Sequence, residues 1–88
     1  MFRITVACSG LTEAEGSGVV SDVLEEFTHR QWQHNVECTW SAGTLSLCAS
    51  NDFDENGQAL LDEFGDAVLA SVSPEGTVRF SVVAVSEA

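Results

Sequence analysis

Eighty-eight residues leave room for one domain, spanning 1–88, with an adequate but thin core. Fourteen acids face three arginines and no lysine, and the resulting net charge of −11 disfavours nucleic acid and anionic membranes while favouring cations and basic partners. An apolar share of 44% argues against disorder, and no apolar run approaches the roughly 18 residues of a membrane span.

In chain order, Phe2, Ile4, Val6 and Cys8 alternate with Arg3, Thr5 and Ala7, which predicts a strand with one buried face. Thr12 and Glu15 have capping-box spacing, and Val20, Val23, Leu24 and Phe27 follow at helical intervals. Gly16 and Gly18 weaken the first turns, so either the helix begins near Ser17 or its backbone sits close to the sheet. Polar residues from Arg30 to Asn35 end it. Val36, Cys38 and Trp40 then alternate, Ala42-Gly43 turns the chain, and Leu45, Leu47 and Ala49 alternate again, as in a β-hairpin. After the acidic loop 50–57, Leu60, Phe64, Ala67, Val68 and Val72 form a second helical stripe. Ser73-Pro74-Glu75-Gly76 is a turn, and Val78, Phe80, Val82 and Ala84 predict a last strand.

The order β-α-β-β-α-β resembles the ferredoxin-like split unit. That resemblance implies an α+β sandwich, in which a four-stranded antiparallel sheet carries both helices on one face. The helix-covered face is expected to hold Ile4, Val6, Cys8, Val36, Cys38, Trp40, Leu45, Leu47, Ala49, Val78, Phe80, Val82 and Ala84. The open face is left with small, hydroxylated and β-branched groups, and with Val83 and Val85. No aromatic stands there to stack a base, which argues against RNA. The two valines suggest a homodimer contact through the last strand or the open face.

Asp52, Asp54, Asn56, Gly57 and Glu63 match D-x-[DN]-x-[DN]-G-x5-E, and this stretch resembles an EF-hand calcium loop. The resemblance implies side-chain oxygens from Asp52, Asp54 and Asn56, a backbone carbonyl from Gln58 and a bidentate carboxylate from Glu63. It departs from the family in having a strand before the loop, Leu60 at the ninth position and no second copy. The same letters suit a strand-to-helix turn, with Asp54 or Asn56 as helix cap.

Cys8, Cys38 and Cys48 are odd in number and lack Cys-x-x-Cys spacing, which points to free thiols and no thiolate metal site. The N-terminus alternates and lacks a signal-peptide pattern, so a cytoplasmic protein is expected. No acid–base pair or nucleophile stands out, which favours a non-enzymatic interaction module. The expected partner is a protein, basic in character, meeting Asp22, Glu25, Glu26, Asp62, Glu63 and Asp66 on the helix faces or docking on the open sheet face. Trp32 either caps the helix–sheet junction or serves as an exposed anchor. The alternatives are a calcium-binding domain using residues 52–63 and a small-ligand regulatory domain using the open sheet face.

Overall fold

A computed structural model describes residues 1–87. The elements are β1 (Phe2–Ser9), α1 (Glu13–Phe27), β2 (His34–Ser41), β3 (Thr44–Asn51), α2 (Gln58–Ser71) and β4 (Arg79–Glu87). The strands make one sheet in the order β2-β3-β1-β4, and every neighbouring pair is antiparallel. No helix among the described residues is long and apolar enough to cross a membrane.

Each element begins and ends for a local reason. Thr12 caps α1: its hydroxyl accepts from Glu15 N–H at 3.1 Å, while the Glu15 carboxylate accepts from Thr12 N–H at 2.8 Å. The other end of α1 is held by Arg30, which donates to the Glu26 carbonyl at 2.9 Å and lies 5.1 Å over the Phe27 ring. A cation there also suits the negative end of the helix dipole. Ala42 (φ 52°) and Gly43 (φ 76°) are both left-handed, as a two-residue hairpin turn between Ser41 and Thr44 requires. α2 stops where Val72 becomes extended, two residues before Pro74.

One core joins the sheet to both helices. Ile4, Val6, Cys8, Leu45, Leu47 and Ala49 are buried on one side of the two central strands. Val19, Val23 and Phe27 of α1 and Leu60, Phe64, Ala67 and Val68 of α2 close over them. Burying each large side chain contributes about 1.5–3 kcal/mol. The α1 stripe is therefore Gly16, Val19, Val23 and Phe27, one step round from the expected Val20 and Leu24, which are only half-buried. Gly16 lies directly beneath the half-buried Trp40 ring of β2, and a Cβ added there would overlap the ring. The Trp40 indole N–H reaches back to Glu13 at 2.9 Å. The helix thus starts at Glu13, and Gly16 serves the close approach to the sheet.

The last strand departs from the expected faces. The β1–β4 register shifts between Thr5 and Val6, so that Thr5 faces Ala84 and Val6 faces Val82, leaving Val83 as the extra residue of a β-bulge. Beyond the bulge the two faces exchange. Val85 pairs with Ile4 and packs on the core, whereas Ala84 is exposed. The assignment of Ala84 to the buried face and Val85 to the open face is thereby corrected. Of the two valines expected on the open face, Val83 alone is exposed, at 61%.

Candidate functional site

The richest polar site lies where the α1–β2 connection, the end of β3 and the start of α2 meet. Asn51, fully buried, accepts on Oδ1 from Asp54 N–H (2.8 Å) and Phe53 N–H (3.2 Å), and its Nδ2 donates to Gln33 Oε1 at 3.0 Å. Gln33, also buried, passes its own amide N–H to Glu63 Oε2 at 3.4 Å. Glu63 in turn receives the Trp32 indole N–H, 3.1 Å from both oxygens, and lies 3.4 Å from Arg30 Nε. A continuous chain of hydrogen bonds therefore runs from the β3 end to the rim of α2. Among the described residues, no buried side-chain nitrogen or oxygen lacks a partner.

Trp32 itself is 49% exposed, and Phe53, in the loop after β3, is 50% exposed. One edge of the indole is fixed by Glu63 at the junction, and the rest of the ring faces solvent.

The loop singled out for calcium is organised around α2. Asp54 is buried, and its two carboxylate oxygens accept from Ala59 N–H (3.2 Å) and Leu60 N–H (2.8 Å). Asn56 Oδ1 accepts from Gln58 N–H at 3.1 Å. These contacts satisfy amides that no helical turn can reach, and Asp54 puts negative charge at the positive end of the helix dipole. The N-cap position itself belongs to Gly57, whose left-handed φ of 79° and close packing on Val82 leave no room for a side chain. Asp52 and Gln58 are exposed, while Glu63 is turned to Trp32 and Arg30. Among the described residues, no three His, Cys, Asp or Glu side chains gather into a metal-holding group.

The residues expected to meet a partner fall into separate places. Asp22 and Glu25 are exposed on α1, and Glu26 is half-buried beside Arg30. Glu63 joins Trp32, whereas Asp62 and Asp66 line a cleft between α2 and β4 together with Leu61, Gly65, Leu69 and Phe80. Gln33 and Asn51 were not read as site residues, because a polar residue in a connection looks like a turn former until its distant partner is known.

A second polar tie joins the far ends of the chain. Glu15 accepts from Glu75 N–H at 3.0 Å as well as from Thr12. Those backbone amides, Thr12 first and then Glu75, hold its carboxyl below the ordinary value of 4.5. A depressed native value means that the contribution is present above the unfolded value and is lost as pH falls through the native one. The melting temperature of Glu15→Gln should therefore lie below that of the wild type at pH 7, and the gap should close on acidification below pH 4. A gap independent of pH would show that the charge is immaterial.

Burial pushes both the Cys8 and Cys38 thiols up to about 11, which keeps them protonated near neutrality. Cys48 lies on the open face, where it accepts a hydrogen bond from Thr5 Oγ1 at 3.3 Å.

No protein-family model matches the chain, and no curated protein is significantly similar to it.

Proposed function

We propose that this protein is a non-enzymatic, cytoplasmic interaction module of ferredoxin-like architecture that docks a basic protein partner through its acidic helical side. The element order and the antiparallel pairing of every neighbour support the architecture. Three unpaired cysteines suit a reducing compartment. The observation that carries the docking reading is Trp32. Half of a large ring faces solvent while its N–H is fixed by Glu63, in a chain of charge −11. An aromatic already held in one orientation loses little entropy on binding and makes a natural anchor.

The test compares capture from cell lysate by the wild type, Trp32→Ala and Trp32→Phe, at low and high salt. The expected result is a band lost in Trp32→Ala, partly kept in Trp32→Phe and weakened by salt. Equal capture by all three proteins would refute the Trp32 anchor.

The second reading is calcium binding by residues 52–63, favoured by the full match of the loop's spacing. It requires Glu63 to leave Trp32, so calcium should change the indole fluorescence and raise the melting temperature. Millimolar calcium that moves neither would end this reading.

A further inference from the structure

We propose that the cleft between α2 and β4 seats an amphipathic, lysine- or arginine-flanked helix of the partner protein. This deepens the docking reading above and rests on it. The cleft is a shallow, open groove of about 470 Å³, lined by Leu61, Gly65 and Leu69 along α2, by Phe80 from β4, and by Asp62 and Asp66. Leu61, Gly65 and Leu69 recur every fourth residue, giving an apolar ridge about 12 Å long that flanks the core-facing stripe of α2, with Leu61 partly packed on the core. Leu69 is 54% exposed, although its neighbour Val68 is fully buried.

Gly65 is the informative member. A Cβ added there would meet nothing within 4 Å, so no contact inside this molecule requires a glycine. A glycine in mid-helix costs about 1 kcal/mol relative to alanine. Its effect is to keep the ridge flat between two leucines, so that the side chains of another element can settle there. Helix-in-groove recognition uses such a surface, with anchors one turn apart.

Charge decides the occupant. Asp62 and Asp66 are exposed beside the apolar ridge, and the whole chain carries −11. A second copy would bring like charges together, whereas a cationic helix places lysine or arginine against both carboxylates and apolar side chains against Leu61, Leu69 and Phe80. Addition of a strand along β4 is opposed by the bulge at Val83, which breaks the ladder it would have to extend.

The probe is a helical Leu/Lys peptide of roughly 15 residues with leucine at every third or fourth position. Two controls are a sequence-scrambled peptide and a Leu/Glu counterpart. Amide shifts of the full protein are followed during titration of the wild type, Leu69→Ser, Trp32→Ala and the Asp62→Asn/Asp66→Asn double variant. Shifts should centre on Leu61, Gly65, Leu69 and Phe80. Affinity should fall about tenfold in Leu69→Ser, and salt dependence should weaken in the double variant. Equal binding of the scrambled or the Leu/Glu peptide overturns the proposal, as do concentration-dependent cleft shifts without peptide, which would put a second copy there. Shifts centred on Trp32 and abolished by Trp32→Ala overturn the cleft while leaving the docking reading intact. Absence of shifts removes the cleft, and the docking reading is then judged by the lysate comparison alone.

Discussion

Asn51→Leu is expected to lose about 3 kcal/mol of folding stability and about 15 °C of melting temperature. Leucine matches the branching of asparagine but is larger, so the loss would combine broken polar pairing with some overpacking. Asn51 Oδ1 holds the amides of Phe53 and Asp54, and its Nδ2 holds Gln33. Removing it strands buried groups, each costing about 1–3 kcal/mol when left without a partner. The loss is a large part of the total, because a domain of this size has only about 5–10 kcal/mol to lose. Urea denaturation at an unchanged m-value measures it. Asn51→Asp separates the two roles, since it keeps the acceptor for the two amides and gives up the donor to Gln33. A leucine variant as stable as the wild type would mean that water replaces Asn51 without cost.

Gly16→Ala and Gly18→Ala should move stability in opposite directions. Both glycines lie within α1, where alanine gains about 1 kcal/mol in helix propensity. At Gly18 a Cβ meets nothing within 4 Å, so the substitution should stabilise by about that amount. At Gly16 the Cβ overlaps the Trp40 ring, and overpacking costs about 1–3 kcal/mol. The net effect at Gly16 should be a loss of up to about 2 kcal/mol. The same chemical change two residues apart then differs by about 1–3 kcal/mol, read as denaturant midpoints. In a Trp40→Leu background the Gly16→Ala loss should disappear, because the obstacle is gone. If Gly16→Ala stabilised the wild type, Trp40 would have room to move, and close approach would not explain this glycine.

The contrast between the two glycines shows where the sequence was legible. Thr12 and Glu15 declared the start of α1 because capping uses residues three apart, a distance visible in a string of letters. The Ala42-Gly43 hairpin and the stripe of Leu60, Phe64, Ala67 and Val68 were readable for the same local reason. Gly16 could be seen to cost helix propensity, but its compensation is Trp40, twenty-four residues later. The face exchange in β4 was hidden because Val82, Val83, Ala84 and Val85 are all apolar, so no polar residue marks where the alternation slips.

At the candidate site, the acidic helix positions and Trp32 were read directly, while their grouping was not. Glu63 and Asp62 are adjacent in sequence, yet one closes a polar network with Trp32 and the other borders the α2–β4 cleft. Asp54 was readable as a cap, but it acts from outside the helix, reaching amides five and six residues on because Gly57 turns the backbone between them.

The interruptions in the two outer strands bear on behaviour near the isoelectric point, about pH 4.1, where mutual repulsion between molecules vanishes. Sheet margins then become templates for fibril growth. β4 is broken at Val83, and β2 shifts register between His34 and Glu37, with Asn35 in a left-handed conformation. Neither margin presents an unbroken row of amides and carbonyls, so the protein carries a geometric guard against fibrils that acid does not neutralise.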